Sequence, residues 1–318
     1  MKAAFGIDIG GTNTKIGLID KEGKALGSCS FNTQSDYNQF NEYVAAIKTN
    51  IDILLAKHKD IEIIGIGIGA PNGNFYKGTI EHAPNLKWKG ILELAKLLEK
   101  ETGISNIKLT NDANAAAIGE MVFGAAKGMS DFIVMTLGTG LGSGIVTRGK
   151  LLLGHDGFAG EIGHVTVVNG GRQCGCGKKG CLETYVSATG INRTIFELLA
   201  SENADSELRD IPYNKLESKL ITDYAKKGDP IALKAFEITG QYFGMAMANT
   251  VAHLSPEAII LFGGLANAGS LILDPMKAHM ENNLMGIFKN KVKVMLSGLN
   301  DGASAAILGS AAMIWKEI

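Results

Sequence analysis

Residues 5–19 read FGIDIGGTNTKIGLI, and residues 133–146 read IVMTLGTGLGSGIV. Each stretch predicts a strand, a glycine-rich turn and a second strand, because short apolar runs flank a cluster of glycine and small polar residues. When the two stretches are aligned, Gly10 falls on Gly138. The alignment suggests two copies of one folding unit and therefore two lobes.

The rest of the sequence predicts an α/β protein, because segments with helical apolar spacing alternate with short apolar runs. A chain of 318 residues also exceeds the size at which one hydrophobic core usually stops growing. We therefore expect two α/β lobes, with a cleft between them for a small ligand. Helices are predicted at residues 43–57 and 91–102, from Asp112 and from Ala303, and strands at residues 61–68, 107–109, 165–168, 258–262 and 292–296.

The composition favours a globular protein with small-molecule substrates. Hydrophobic residues make up 46% and charged residues 20% of the chain, and the formal net charge is −1. This balance provides no basic face for nucleic acid or for an anionic membrane. No apolar stretch reaches membrane-spanning length, and the first residues lack the pattern of a signal peptide. Four cysteines in a chain of this length do not make a disulfide framework, so we expect a cytoplasmic protein.

The glycine turns within residues 8–12 and 137–144 are candidate phosphate-binding sites. Backbone N–H groups at such turns can approach phosphate oxygens closely, because no Cβ stands in the way. Thr12 and Thr139 beside the turns favour this interpretation, although each turn alone is equally consistent with an ordinary hairpin. The sequence contains no P-loop motif, and Ile145 continues a strand where a dinucleotide-binding fold requires a helix.

Asp112 follows a predicted strand and opens a predicted helix. Ligands bind at such strand ends in α/β folds. A carboxylate there can accept the proton of a sugar hydroxyl that attacks the γ-phosphate of ATP. Asn111 or Asp112 can also serve simply as the helix N-cap, since Asn and Asp are among the residues preferred at that position. The two roles can coexist.

His164 and three cysteines, Cys174, Cys176 and Cys181, form the most specific local pattern. Three thiolates and one imidazole complete a closed tetrahedral zinc shell, which is the composition of a structural site. The alternative is a flexible loop with unligated cysteines, but inert cysteines seldom cluster at this spacing. We expect a structural zinc within an insertion of about residues 154–183.

Two glutamates adjoin the predicted zinc site. Glu161 lies three residues before His164, and Glu183 lies two residues after Cys181. If zinc holds one ring nitrogen of His164, the other nitrogen points in a fixed direction and can hydrogen-bond a sugar hydroxyl. Both glutamates can accept further hydroxyl protons, although either one alone is also consistent with a solvated loop charge.

Taken together, these residues resemble the ROK family of sugar kinases and repressors, within the actin-like, hexokinase-type ATPase fold built from ribonuclease H-like domains. The zinc stretch is highly specific to that family. The segment 84–88 is also similar to one that shapes the sugar pocket in the family. The matching motifs follow in order along nearly the whole chain, at residues 8–14, 111–114, 137–140, 160–164, 174–183 and 262–264.

The resemblance implies a role for each matching residue. Asp112 would be the catalytic base, and Asp8 would lie near Mg²⁺, with water between the carboxylate and the ion. His164 would ligate zinc with the three cysteines. The implied hexose ligands are Asn85, Asn111, Asp112, Glu161, His164 and Glu183. The implied ATP ligands are Asp8, Gly10, Gly11, Thr12, Asn13, Lys15, Gly138, Thr139, Gly140, Gly263 and Gly264.

The resemblance also implies an organisation and a substrate class. We expect a small lobe of residues 1–111 and 301–318, a large lobe of residues 112–300, and the homodimer that is usual in the family. Glucose is the first choice of substrate. N-acetylglucosamine, N-acetylmannosamine and other hexoses are alternatives, because motifs shared by all members do not separate them.

Two alternatives belong to other functional classes. Repressors of the family carry a helix-turn-helix domain ahead of the kinase-like part, whereas a strand is predicted within the first few residues here. A catalytically idle sugar sensor would be expected to lose Asp112 or a glycine of the phosphate turns, and this sequence retains them. Both observations favour the kinase.

Overall fold

The computed structural model describes residues 1–35, 37–299 and 302–316, with residues 302–304 described by their backbone alone. The lobe boundaries predicted at residues 300, 301 and 318 lie outside the described residues. The strands are β1 (Lys2–Ile9), β2 (Asn13–Asp20), β3 (Ala25–Asn32), β4 (Glu62–Gly69), β5 (Gly73–Asn74), β6 (Thr79–Glu81), β7 (Ile91–Leu92), β8 (Ile107–Thr110), β9 (Phe132–Leu137), β10 (Leu141–Thr147), β11 (Lys150–Leu151), β12 (Ala258–Phe262) and β13 (Lys293–Leu296). The helices are α1 (Phe40–Ala56), α2 (Leu94–Thr102), α3 (Asp112–Val122), α4 (Ala188–Ser201), α5 (Ser218–Lys226), α6 (Pro230–Leu254), α7 (Ser270–Asn283) and α8 (Gly302–Trp315).

Two five-stranded sheets share one strand order. The first sheet runs β3-β2-β1-β4-β8, and the second runs β11-β10-β9-β12-β13. In the first, β1 is antiparallel to β2 and parallel to β4. In the second, β12 is parallel to both β9 and β13. Each sheet therefore uses its five strands in the same sequence, which supports the two-copy interpretation of residues 5–19 and 133–146.

Strand β1 is buried because helices cover both faces of the first sheet. Phe5 and Ile7 belong to a core cluster with apolar residues of α1, such as Ile47. Ala4, on the opposite face, packs in a second cluster with Ile307 of α8. A central strand buried on both faces reads as a continuous apolar run, as the sequence of β1 does.

Helix α8 lies unusually close to the first sheet because glycines face it. A Cβ added to Gly6 or Gly67 would overlap backbone carbonyl oxygens of α8, those of Ile307 and Ser310 respectively. The Ser310 hydroxyl also accepts a hydrogen bond of 3.1 Å from the N–H of Gly69, at the end of β4. The helix is thus fixed to the sheet by backbone proximity and by one buried hydroxyl.

The structure corrects two details of the predicted secondary structure. The helix predicted at residues 91–102 begins only at Leu94, because Ile91–Leu92 pairs with β6 as strand β7. The strand predicted at residues 165–168 is absent from this described stretch, where only an isolated bridge joins Thr166 to Cys181. There the N–H groups of Val167 and Val168 both donate to the carbonyl of Gly180, so the chain curls rather than extends.

The chain divides into two compact units. The first unit contains Met1–Ser130, Gly144–Gly160 and Ser297–Ile318, and the second contains Asp131–Ser143 and Glu161–Leu296. Helix α3 falls in the first unit because it packs against α8. The lobes expected from the sequence, residues 1–111 with 301–318 and residues 112–300, differ from these units and stay a prediction. Across the described residues, no helix has the length and apolar character needed to cross a membrane.

The contact between α8 and the first sheet predicts the effect of adding one methyl group. Gly67→Ala should destabilise the protein by about 3 kcal/mol or more, because the new Cβ collides with helix backbone that cannot rotate away. The free energy of unfolding in urea measures this effect. Gly286→Ala is the matched control, since a Cβ at Gly286 meets open space. Equal stability of the two variants would contradict the packing described here.

Candidate active site

The first glycine turn joins β1 to β2 and is held by its carbonyl groups. Gly10 N–H donates to the carbonyl of Asn13 over 3.0 Å, which closes the turn. The carbonyl of Thr12 accepts from the N–H of Thr33 over 2.8 Å, and the carbonyl of Gly11 accepts from the side-chain amide of Gln34 over 2.7 Å. The turn therefore keeps one conformation because neighbouring chain fixes its oxygen atoms.

Asn85 lies against this turn. A Cβ added to Gly11 would lie 3.0 Å from the Asn85 carbonyl oxygen, so a glycine is needed for the close approach. The loop that carries Asn85 is itself closed by Lys89, whose ammonium donates to the carbonyl of Leu86 over 2.7 Å and to that of Pro84 over 3.3 Å. The structure thus brings the predicted sugar segment and the predicted phosphate turn together in the first unit.

Three buried hydroxyl groups, of Thr14, Thr33 and Tyr43, form hydrogen bonds next to the first glycine turn. Thr14 Oγ1 lies 2.6 Å from the Tyr43 hydroxyl and 2.8 Å from Thr33 Oγ1, and all three side chains are buried. The ring of Tyr43 packs against Trp88, with ring centroids 4.7 Å apart. Of these residues, Thr33 and Tyr43 lie outside every motif that the sequence indicated. The available signal was a tyrosine at a core-facing position of α1, since a buried tyrosine hydroxyl usually needs a partner.

Asp8 and Asp112 converge at the end of β4. Asp8 pairs in register with Gly69, and a Cβ added to Gly69 would lie 3.7 Å from the Cα of Asp112. Burial raises the pKa of Asp8 to about 6, with Lys15 opposing the rise and the charge of Asp112 adding to it. Lys15 lies opposite Asp8 in the β1–β2 ladder. The predicted residues Asp8, Lys15 and Asp112 are thus neighbours.

Asp112 occupies the first turn of α3 without capping it. The N-cap is Asn111, whose Oδ1 accepts from the N–H of Asn114 over 2.7 Å. Asp112 Oδ1 accepts from the N–H of Ala113 over 2.9 Å. Surrounding protein raises the pKa of Asp112 by desolvation. Its side chain remains open to solvent, so water limits that rise, and a substrate hydroxyl can reach the carboxylate.

The four predicted metal ligands meet in the second unit. The ligand atoms of His164, Cys174, Cys176 and Cys181 all lie within 4.8 Å of one another. Cys176 Sγ is 3.7 Å from Cys181 Sγ, and Cys174 Sγ is 3.7 Å from His164 Nδ1. In a tetrahedral zinc shell with Zn–S bonds of about 2.3 Å, two sulfur atoms lie about 3.8 Å apart. The donor set and its spacing therefore fit zinc.

The imidazole of His164 has two differently placed nitrogens. Nδ1 faces Cys174, whereas Nε2 lies 4.0 Å from Glu161 Oε2. A metal on Nδ1 would leave Nε2 protonated and directed towards the side of Glu161. One nitrogen of His164 thus faces a predicted metal ligand, and the other lies on the side of Glu161.

The second glycine turn, residues 138–140, is held by the start of α4. The N–H of Ala188 donates to the carbonyl of Gly138 over 2.9 Å, and Thr189 Oγ1 donates to the carbonyl of Thr139 over 2.9 Å. The N–H of Leu141 donates to Glu183 Oε2 over 2.9 Å. No sequence motif indicated Ala188 and Thr189, since the contact joins segments about fifty residues apart.

The predicted adenosine glycines lie beside the second turn. Gly263 follows β12 with φ of 107°, a conformation that favours glycine. A Cβ there would lie 2.6 Å from the carbonyl oxygen of Leu137, the last residue of β9. Gly264 precedes the short 3-10 helix Leu265–Ala268.

The structure thus collects the predicted site residues into two groups. The first group lies in the first unit and contains Asp8, Gly10, Gly11, Thr12, Asn13, Lys15, Asn85, Asn111 and Asp112. The second group lies in the second unit and contains Gly138, Thr139, Gly140, Glu161, His164, Cys174, Cys176, Cys181, Glu183, Gly263 and Gly264.

Comparison with known proteins finds relatives along nearly the whole chain. The ROK family model matches residues 4–317. A glucokinase of Halalkalibacterium halodurans is 40% identical over 287 residues, which covers 87% of this chain and 84% of the relative. A glucokinase of Thermotoga maritima is 33% identical over 318 residues, which covers 99% of this chain and 98% of the relative.

A solved structure gives the same result for the fold. A ROK family glucokinase from Streptomyces griseus, in complex with glucose and AMPPNP, superposes with a TM-score of 0.80 at 34% identity, and the match covers 98% of both chains. Its similarity extends over the two mixed sheets and confirms the predicted two-lobed α/β fold. From the family match and these relatives, we conclude that the chain belongs to the ROK family.

Proposed function

We propose that this protein transfers the γ-phosphoryl group of ATP to a hydroxyl of a hexose, with glucose as its substrate. The observation that carries the proposal is the convergence of Asp8 and Asp112 at the end of β4, beside a glycine turn. The two relatives named above are glucokinases, and the Streptomyces griseus glucokinase was solved with glucose and AMPPNP. Their similarity supports the same reaction here.

In this proposal Asp112 is the general base. Its carboxylate accepts the proton of the sugar hydroxyl as that oxygen attacks the γ-phosphorus. Two features support the role. Asn111 already caps α3, so Asp112 is not needed for capping. The raised pKa of Asp112 makes its carboxylate a stronger proton acceptor than an ordinary aspartate.

Asp8 suits a site for Mg²⁺. A largely buried carboxylate with a pKa of about 6 lacks sufficient positive charge around it, and a divalent cation would favour its ionised form. When bound near Asp8, Mg²⁺ would neutralise charge on the transferred phosphoryl group. The neighbouring glycine turn offers backbone N–H groups, and we assign Gly10, Gly11, Thr12, Asn13 and Lys15 to the phosphates.

We assign six polar side chains to the hexose. They are Asn85, Asn111, Asp112, Glu161, His164 and Glu183. Support for His164 comes from its orientation, since Nδ1 faces the cysteines and Nε2 is left to donate to a hydroxyl. Recognition of a polyhydroxyl ligand requires several hydrogen-bond donors and acceptors, which these side chains supply.

The nucleotide assignment in the second unit rests on backbone geometry. The carbonyl oxygens of Gly138 and Thr139 are engaged by the start of α4, so they are directed away from an incoming phosphate. Gly263 packs against the end of β9 just before this turn. We therefore assign the phosphates to Gly138, Thr139 and Gly140, and the adenosine to Gly263 and Gly264.

The proposed substrate predicts a preference among hexoses, and the proposed base predicts a loss of turnover. With ATP and Mg²⁺, the protein should release ADP faster with glucose than with mannose, fructose, N-acetylglucosamine or N-acetylmannosamine. Asp112→Asn should lower kcat by about 10²- to 10⁴-fold and leave glucose affinity within a few fold, because the amide cannot accept the proton. A coupled assay of ADP release measures both.

Asp60→Asn is the control for this experiment, since Asp60 is an exposed loop carboxylate. Near-normal kcat of Asp112→Asn would remove Asp112 as the base. A preference for an N-acetyl sugar would change the substrate and keep the mechanism, whereas no turnover on any hexose would refute the proposed activity.

The zinc site predicts a change in metal content. Cys176→Ser should reduce bound zinc from about one ion per chain to a small fraction, and it should lower the thermal unfolding midpoint, because a closed shell loses one thiolate. Atomic emission and thermal unfolding measure these effects without any assay of activity. Cys29→Ser, on β3, should retain zinc. Full zinc content in the Cys176 variant would disprove the ligand set.

The raised pKa of Asp8 predicts a pH-dependent gain in stability. In the folded protein Asp8 holds its proton up to a pH of about 6, compared with 3.8 for the ordinary side chain. The folded state therefore loses stability as the pH rises from about 4 to 6, and the cost persists above pH 6. Without Mg²⁺ and nucleotide, Asp8→Asn should stabilise the protein at pH 8 by up to about 3 kcal/mol.

The gain in stability should vanish below a pH of about 4, where the protonated Asp8 side chain is as uncharged as asparagine. Urea unfolding of both proteins across the pH range measures the difference, with the exposed Asp60→Asn as a control. A difference in stability that does not depend on pH would show that packing, and not the charge of Asp8, causes it.

A further inference from the structure

We infer that the Glu183 carboxylate positions the second glycine turn, residues 138–140, and thereby couples hexose binding to nucleotide binding. The inference rests on the proposed function for the identity of the two ligands, since Glu183 is there a hexose ligand and the turn a phosphate ligand. The contacts that carry it all lie within the second unit.

Glu183 makes a direct contact with the end of the turn. Its Oε2 accepts a hydrogen bond of 2.9 Å from the N–H of Leu141, the first residue of β10. A Cβ added to Gly140 would overlap the same oxygen atom. The backbone thus passes close to the carboxylate, and its oxygen atom holds the place where the turn becomes a strand.

The short stretch from Glu183 to Thr189 touches every residue of the turn. Ala188 N–H holds the carbonyl of Gly138, and Thr189 Oγ1 holds the carbonyl of Thr139. Glu183 approaches Gly140 and binds the N–H of Leu141. The turn and the stretch therefore behave as one structural element, although some forty residues separate them in sequence.

Glu183 is itself held firmly. Its carbonyl accepts from Ser187 Oγ over 2.7 Å, and the carbonyl of the next residue, Thr184, accepts from Arg172 Nη1 over 2.6 Å. Arg172 also stacks over the ring of Tyr185, with 4.4 Å to the centroid. Cys181 lies two residues before Glu183, so the predicted metal ligands and Arg172 flank the backbone that carries the carboxylate.

This arrangement makes the two ligands dependent on one another. A negative charge next to a phosphate-binding turn repels phosphate oxygens, while the hydrogen bond to Leu141 keeps the turn formed. A hexose hydroxyl that donates to Glu183 offsets part of that charge and leaves the turn in place. Hexose should therefore strengthen nucleotide binding, and nucleotide should strengthen hexose binding by the same factor.

Two substitutions separate the reach of Glu183 from its charge. Glu183→Asp keeps the charge but is one methylene shorter, so it cannot reach the N–H of Leu141. Glu183→Gln keeps the reach through its amide oxygen and removes the charge. AMPPNP with Mg²⁺ is titrated calorimetrically into the zinc-loaded full-length protein, first without and then with saturating glucose.

We expect Glu183→Asp to weaken AMPPNP binding about tenfold or more without glucose, because a charge-assisted hydrogen bond to the turn is lost. Without glucose, Glu183→Gln should bind AMPPNP at least as tightly as the wild type, because the repelling charge is gone, and glucose should no longer strengthen that binding. Glu217→Gln is the control. It changes an exposed carboxylate elsewhere in the second unit and should leave AMPPNP affinity unchanged.

Wild-type AMPPNP affinity in Glu183→Asp, or equal losses in the Asp and Gln variants, would overturn the inference. If Glu183→Asp does not fold, Glu183→Gln still tests the inference. A tenfold loss of AMPPNP affinity in Glu183→Gln would contradict it, because this variant still reaches the N–H of Leu141. These titrations require no turnover. Failure of the proposed function would appear separately, as wild-type protein that binds AMPPNP but phosphorylates no hexose.

Discussion

The close approach of α8 to the first sheet is the constraint on which the rest of the first unit depends. Because Gly6 and Gly67 have no side chain, the backbone of α8 can approach the strands that carry them. The Ser310 hydroxyl then accepts a hydrogen bond from the N–H of Gly69. Asp8 pairs with Gly69, and Asp112 is the first residue of α3, which packs against Gly69. The packing of α8 on Gly69 therefore determines where the two carboxylates meet.

The two units share a strand order but support their glycine turns by different means. In the first unit the turn is fixed by Thr33 and Gln34, with buried hydroxyls of Thr14 and Tyr43 beneath it. In the second unit the turn is fixed by the start of α4 and by Glu183, which lies two residues after the predicted metal ligand Cys181. A repeated topology therefore does not require a repeated set of supporting contacts.

The electrostatics of Asp8 and Asp112 illustrate the cost of a functional site. Burial raises the pKa of Asp8 and the nearby charge of Asp112 adds to the rise, which makes the ionised Asp8 carboxylate unfavourable in the free protein near neutral pH. Such pairs are common where chemistry needs them, because environments that shift pKa values also tune proton transfer. In the proposed kinase the cation and the substrate hydroxyl would relieve this cost.

The sequence by itself determined the features that depend on local spacing. The spacing of His164 and three cysteines predicted that these four metal-ligand types lie together. The preference of Asn and Asp for helix N-caps predicted the start of α3 at Asn111 and Asp112. The alternation of strands and glycine turns likewise needed only a few consecutive residues, and it was sufficient to suggest the duplicated unit.

The tertiary structure decided what depends on contacts between distant segments. Ser310 meets Gly69, Tyr43 meets Thr14, and Leu141 meets Glu183, and no periodicity within any one segment encodes these pairings. It also placed Ile91–Leu92 in a strand and curled residues 165–168, because partners elsewhere in the chain took their hydrogen bonds. Local pattern fixes which groups are available, whereas long-range packing fixes which of them meet.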